Sequence, residues 1–372
     1  MDSGSPIPTA FGGQLSGKRV LLTGHTGFKG SWLAAWLTEL GAHVTGFSDG
    51  IPSEPAHFQI AGMADRVAHR LGDVRDRDAV ARVIGEVQPD VVFHLAAQAL
   101  VRRSFEDPAR TFETNTLGTL NVLEAVRQAG GVQALVLVTS DKAYRNVEWV
   151  WGYRENDALG GEDPYSGSKG AAELVAYSYM KSYFETGETK VATARAGNVI
   201  GGGDWAEDRI VPDCVRAWSA RQTVTLRHPH ATRPWQHVLE PLSGYLWLAA
   251  RLLANDPRAR GESFNFGPDA NVSAPVVTLI ERLGDRWAEA RWVVDPAGLA
   301  GRPEARLLKL SCDKALLDLQ WHATLGFDET VAFTADWYRT FYAGDADVWG
   351  LTTRQIGHYT ALAAERGLAW AS

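Results

Sequence analysis

The sequence predicts an α/β fold, a doubly wound parallel sheet carrying a smaller, mixed C-terminal lobe. Two observations lead there. Through residues 18–200, short apolar runs alternate with stretches of helical periodicity, the βαβ pattern whose parallel sheet is covered by helices on both faces. Past Gly201 the rhythm breaks, and glycine, proline, tryptophan and arginine crowd residues 201–235. At 372 residues the chain is too long for one small domain and suits one large unit with a second lobe.

The elements follow in order. Residues 1–16 are small and polar, lack the basic start and apolar run of a secretion signal, and read as a flexible tail. Residues 17–200 form the first domain. Strands are expected at 18–23 (KRVLLT), 42–47 (AHVTGF), 91–95 (VVFHL), 134–139 (ALVLVT) and 190–196 (KVATARA), with helices at 28–40, 78–87 and 115–129. Residues 201–372 form mainly the second lobe. The two are interleaved, because 263–267 (SFNFG) reads as a strand returning to the first sheet.

Bulk composition narrows the function classes. Apolar residues make up 45% of the chain and charged residues 22%, so an ordered globular protein is expected. The net charge of −7 comes with no basic run that could track a phosphate backbone, which argues against nucleic acid as a partner. The two cysteines, Cys214 and Cys312, supply neither a disulfide framework nor a zinc spacing. A reducing cytoplasm and no bound metal are expected. No apolar run approaches the roughly 18 residues of a membrane span.

Residues 23–30 (TGHTGFKG) follow the first strand and open the first helix, placing glycines at Gly24, Gly27 and Gly30. Absence of Cβ lets the chain turn tightly and lets a pyrophosphate approach the amides and positive dipole end of a helix. The context implies a Rossmann-type dinucleotide site, with Thr26, Phe28 and Lys29 beside the glycines. Asp49, just past the second strand, is the candidate ribose ligand, with an Asp-Gly turn as the plainer reading. No arginine follows that strand to hold a 2′-phosphate, which favours NAD over NADP. Asp73 and Val74, after a third strand, are expected to face the adenine, and Leu95, Ala96 and Ala97 to line the site after the fourth.

Tyr165 and Lys169 stand four residues apart and share a helix face, so the ammonium is expected to favour the phenolate and bring a general base into range. The spacing alone is weak evidence. Tyr177 and Lys181 repeat it roughly 120° around the same helix and are read as packing on the sheet. Context favours the first pair: Tyr165 begins its helix after Asp163-Pro164, and Ser140 ends a strand of the sheet, where ligand crevices lie.

Ser140, Tyr165 and Lys169, beside the glycine loop, resemble the catalytic set of the extended short-chain dehydrogenases/reductases. Several further segments, TGHTGFKGSWL, HLAAQALVRRS, TSDKAY, RAGNVIGGGDW and RPWQHVLEPLSGYL, resemble the CDP-glucose 4,6-dehydratases within them. This resemblance implies tightly held NAD, a nucleotide-sugar substrate and a homodimer formed through helices flanking the sheet. It also implies roles for Asp141 and Lys142, since most nucleotide-sugar 4,6-dehydratases carry Asp-Glu where this chain and the CDP-glucose enzymes carry Asp-Lys. In the implied cycle Tyr165 takes the C4 hydroxyl proton while hydride leaves C4. Lys142 then removes the C5 proton as Asp141 protonates the C6 oxygen, and hydride returns to C6. Lys142 acts as a base only if neutral, and Lys169 is the expected cationic neighbour.

On the substrate side, Asn198 resembles the asparagine that touches the substrate phosphate. Arg209 and Arg233 are candidate diphosphate clamps, and Gln98, Arg103 and Ser104 resemble a sugar-contacting segment. The chain departs from the family in one late loop, where 302–305 reads RPEA in place of a histidine followed by Glu-Ala. Rival readings are a nucleotide-sugar epimerase, a dehydratase acting on another nucleotide-glucose, and a non-catalytic NAD-sensing module.

Overall fold

The computed structural model describes residues 7–269, 272–295, 307–344 and 346–372. The departing loop at 302–305 lies outside them. The chain opens with the βα units β1 Arg19–Thr23, α1 Phe28–Glu39, β2 His43–Ser48, the short α2 His57–Ile60, β3 Ala68–Leu71, α3 Arg77–Val87 and β4 Val91–His94. After them come α4 Val101–Glu106, α5 Pro108–Phe112, α6 Gly118–Ala129, β5 Ala134–Val138, α7 Pro164–Ser182 and β6 Lys190–Ala196. The remainder contains β7 Val199–Ile200, α8 Ile210–Ser219, β8 Val224–Leu226, β9 Thr232–Arg233, β10 Gln236–His237, α9 Leu239–Leu253 and β11 Ser263–Phe266. Last are β12 Ala274–Pro275, α10 Val276–Gly284, β13 Trp292–Val294, α11 Phe327–Tyr342 and α12 Val348–Glu365.

Seven parallel strands form the main sheet in the order β11-β6-β5-β4-β1-β2-β3. The 263–267 run does return to the sheet, as β11 beside β6. Strand residues alternate between two cores. Val20, Leu22, Val91, Phe93, Ala134 and Val136 enter one, with Trp32 and Trp36 of α1 and much of α9. Leu21, Val92 and Leu135 enter the other, with Val80 of α3 and Val122 of α6. Both sheet faces are therefore dry, which is why the strands read as unbroken apolar runs.

Helix starts follow local chemistry. Asp76 caps α3 through the amides of Asp78 and Ala79, and Asp163 caps α7 through Ser166, with Pro164 at the first helical position. The buried stripe of α7 runs through Tyr165, Lys169, Ala172, Glu173, Ala176 and Met180. Tyr177 falls off that stripe and is 59% exposed, so it faces outward and does not pack on the sheet.

The tail reading needs correction from Ile7 onward. Residues Ile7–Gly13 form a 3₁₀ segment, and Ala10, Phe11 and Leu15 are buried. Phe11 stacks on Trp370 at 5.1 Å between ring centroids and meets Trp36 edge-on. Three apolar side chains among small polar residues suffice to dock the segment. Phe11→Ala should cost about 3–5 kcal/mol, the usual range for emptying a buried aromatic site. Denaturant unfolding checks this, and an unchanged midpoint would restore the loose-tail reading.

Candidate active site

The strand order reverses between β1 and β4, so the connections leaving their carboxyl ends diverge and open a crevice. The glycine loop forms one wall. Gly24 has φ +75°, and a Cβ there would lie 2.7 Å from the Ala96 backbone nitrogen. A Cβ on Gly30 would lie 2.0 Å from the Gly24 carbonyl oxygen. Helix α1 starts behind Gly27 with no side chain capping it, so its first amides and dipole are left for a ligand. These features fit the pyrophosphate of a dinucleotide.

Around the loop, the Thr26 hydroxyl donates to the Gly50 carbonyl at 2.6 Å. Asp49 is exposed and lies 3.5 Å from Arg110. An arginine does reach this acid, arriving from α5, which local sequence could not reveal. Asp73 pairs with Arg75 at 2.6 Å. Burial raises its pKa, but the Arg75 hydrogen bonds and charge outweigh that and hold the carboxyl below its ordinary range. Val74 is buried under Gly118. The amides of Leu95 and Ala96 both donate to the Thr23 hydroxyl at 3.2 Å, and Ala97 continues the same loop, half-buried.

Ser140, Asp141, Tyr165 and Lys169 come together, all buried. Ser140 stands at the end of β5, donates to the Asp141 carboxylate at 3.0 Å and hydrogen-bonds Tyr165. Its Oγ also accepts from the Lys142 amide at 3.2 Å. Among the described residues the Lys142 ammonium has no hydrogen bond or ion pair. Burial pushes Tyr165 up to about 12, with the Ser140 bond opposing. The expected lowering of the phenol by Lys169 is therefore not met by the chain alone, because desolvation dominates. Burial likewise lowers Lys169 to about 8, opposed by the charge of Glu173.

Lys29 belongs to this cluster as well as to the glycine loop. Its pKa is lowered to about 8 by burial, Arg209 and Lys169, with Asp141 opposing, and its ammonium lies 3.5 Å from the Tyr245 hydroxyl. Arg209 also turns inward: it bonds Asp204 at 3.0 Å and its charge reaches Tyr165. Neither orientation was visible in sequence, because both depend on α1 and α8 converging from distant segments. Asn115 was missed too. It joins the Gln98 amide at 2.8 Å to the Ser168 hydroxyl at 2.8 Å, tying the crevice loop to α7.

The other substrate candidates are placed unequally. Asn198 follows β6, half-buried, with no side-chain partner among the described residues. Arg233 is buried on β9 and donates to the Thr232 carbonyl at 2.9 Å. Arg103 is exposed on α4. Ser104 is buried and its hydroxyl is spent on the Val101 carbonyl at 2.6 Å. The Gln98 carboxamide braces its own loop through Leu100 and Thr111.

Residues 21–334 match the model of the GDP-mannose 4,6 dehydratase family. The chain belongs to this family. It is 46% identical over 349 residues to a CDP-glucose 4,6-dehydratase of Salmonella typhimurium, covering 92% of this chain and 96% of that one. A dTDP-glucose 4,6-dehydratase of Streptomyces antibioticus is 29% identical, over 86% of this chain and 92% of its own. Among solved structures, the dTDP-glucose 4,6-dehydratase of Streptomyces venezuelae with NAD bound superposes with a TM-score of 0.71. The two are 26% identical, covering 86% of this chain and 97% of the other.

Gly30→Ala should weaken NAD binding at least about tenfold, a loss near 1.4 kcal/mol, because the added methyl displaces the backbone of the cradle. Titration calorimetry on the purified protein measures it. Wild-type affinity in the variant would remove the loop from the cofactor site.

Proposed function

We propose that the chain is an NAD-dependent nucleotide-sugar 4,6-dehydratase that converts CDP-glucose to CDP-4-keto-6-deoxyglucose and water. The carrying observation is that Ser140 bonds both the Asp141 carboxylate and the buried Tyr165, with Lys142 next in the chain and its amide on the Ser140 hydroxyl. An epimerase of this scaffold needs the hydroxyl donor and phenol but no further acid and base. The resemblance to the Salmonella enzyme over 92% of this chain supports CDP-glucose as the substrate.

Bound NAD supplies the hydride acceptor, later the hydride donor, and the positive nicotinamide charge. Tyr165 takes the proton of the C4 hydroxyl as the C4 hydrogen leaves with its electron pair. Ser140 holds the same oxygen, and Lys169 keeps positive charge beside the forming phenol. The C4 ketone acidifies the C5 hydrogen, which Lys142 removes. Asp141, protonated before the elimination, gives its proton to the departing C6 oxygen, so water leaves and a C5–C6 double bond forms, and the proton that Tyr165 took returns to Asp141 through Ser140, which bonds both. Hydride then enters at C6, and Lys142 returns a proton to C5. Asn198 and Arg233 hold the diphosphate, with Arg209 at its sugar end.

The protein acts in the cytoplasm as a homodimer. No helix of the described residues is long and apolar enough to cross a membrane. Leu174 and Tyr177 of α7 and Leu117 ahead of α6 form an exposed apolar face suited to a second copy.

The test is incubation with NAD and each of CDP-, dTDP-, UDP- and GDP-glucose, followed by mass spectrometry. Loss of one water from CDP-glucose alone is expected. Lys142→Met and Asp141→Asn should slow water loss about 100-fold or more, within the span of general acid–base catalysis, while C4 oxidation persists as NADH absorbance. Epimerisation or simple oxidation without water loss would overturn the reading.

A further inference from the structure

One heavily bonded charged group near the candidate active site is given no part in the proposed reaction. Glu173 lies one helical turn beyond Lys169 on α7 and is 2% exposed. Its carboxylate takes both arms of Arg195 on β6, at 2.9 and 2.8 Å. It also accepts from the Thr139 hydroxyl and, at 3.0 Å, from the Thr193 hydroxyl. Thr139 immediately precedes Ser140, and Arg195 stands three residues before Asn198.

Arg195 extends the network. It donates to the Tyr144 hydroxyl at 2.7 Å and to the Glu155 carbonyl at 2.9 Å. Tyr144 follows Lys142 by two residues and donates in turn to Asn265 of β11 at 2.7 Å. One carboxylate thus joins the three segments that carry the site: the end of β5 with Ser140 and Asp141, α7 with Tyr165 and Lys169, and β6 leading to Asn198.

We propose that Glu173 is a positioning residue for the dehydration: through Arg195, Thr139 and Thr193 it sets the register of α7 against the end of β5, and it holds a negative charge one helical turn from the Lys169 ammonium. This rests on the reading of Lys169 as part of the catalytic set. Lys169 faces Tyr165 and Glu173 on its own helix, Lys29 from α1 and His94 from β4. His94 is itself held low by burial and by Lys169, so it adds no positive charge at neutral pH. Of these groups Glu173 carries the opposing negative charge, and it favours the protonated amine. Burial raises the Glu173 carboxyl, but Arg195 and the two threonines outweigh that and keep it ionised. The Lys169 charge is therefore present at low pH and lost as pH rises through about 8. Without Glu173 it should be lost sooner.

The experiment labels lysine with ¹³C at Cε in the full-length protein and follows the amine titration by NMR, with Lys169 assigned through Lys169→Met. Glu173→Gln should lower the Lys169 midpoint by about one unit or more, a tenfold change in protonated fraction at a given pH. Glu173→Asp should recover most of it. Thr193→Val, which removes a hydroxyl bonded to Glu173 and to Ser263 but leaves the Glu173 charge and its Arg195 pair in place, should lower the melting temperature and leave the midpoint nearly in place. If Glu173→Gln does not fold, the double change Glu173→Met/Arg195→Met replaces the pair with apolar volume, an exchange that buried ion pairs often tolerate. A smaller downward shift is then expected, because the Arg195 charge leaves with the nearer Glu173 charge. An unmoved midpoint in whichever variant folds would reduce Glu173 to a structural tie and overturn the proposal. The titration needs no substrate, so failure to turn over CDP-glucose would refute the substrate assignment and not this one.

Discussion

The site depends on how closely the ends of β1 and β4 approach each other. Gly24 leaves β1 at positive φ with no room for a side chain against Ala96, and Thr23 ties both following amides to its hydroxyl. His94 continues that tie, its ring between the hydroxyls of Thr23 and Thr119 at 2.8 and 3.1 Å. Burial pushes this imidazole down to about 3, so it remains a neutral hydrogen-bond bridge and not a charge. A floor made this way is rigid and apolar enough to bring α1 and the β4 loop to one crevice, which is what a dinucleotide and a sugar must share.

Water exclusion then governs the electrostatics. Tyr165, Lys169 and Lys29 are all displaced by desolvation before any neighbour acts on them, the phenol upward and both amines downward. Two amines near neutrality and a reluctant phenol mean that the protonation state of this cluster responds strongly to any added charge. Ser140 pulls against burial at Tyr165, Asp141 at Lys29 and Glu173 at Lys169, while Asp141 adds to the rise of Tyr165, so the cluster is poised by geometry and not by the free side-chain values.

The sheet was legible because both of its faces are covered: β1, β2, β4, β5 and β6 each appear as an apolar run within a residue or two of its observed bounds. Ser140, Tyr165 and Lys169 could be grouped from a strand end and a helix start marked by Asp163-Pro164, whereas Asp141 entered only through the family resemblance; the fold brings the four together. What escaped was orientation over long range. The wheel placed Tyr177 a third of a turn from Tyr165, yet nothing local said which side of α7 was buried. Arg110 reaching Asp49, Arg209 turning toward Tyr165, and Asn115 linking Gln98 to Ser168 all join residues brought together only by the fold. Glu173 was within reach of the spacing argument that found Lys169, since it stands four residues further along the same stripe.

The stacking of Phe11 on Trp370 gives the molecule a seam. Both rings also meet Trp36, in the last turn of α1, and α1 runs away from the crevice. The segments around Phe11 and Trp370 are therefore clasped together beneath the sheet, at the edge opposite the one where the candidate chemistry lies. Because this clasp joins residues more than 350 positions apart on the side away from the crevice, loosening it would be felt in the stability of the molecule before it is felt in the candidate site.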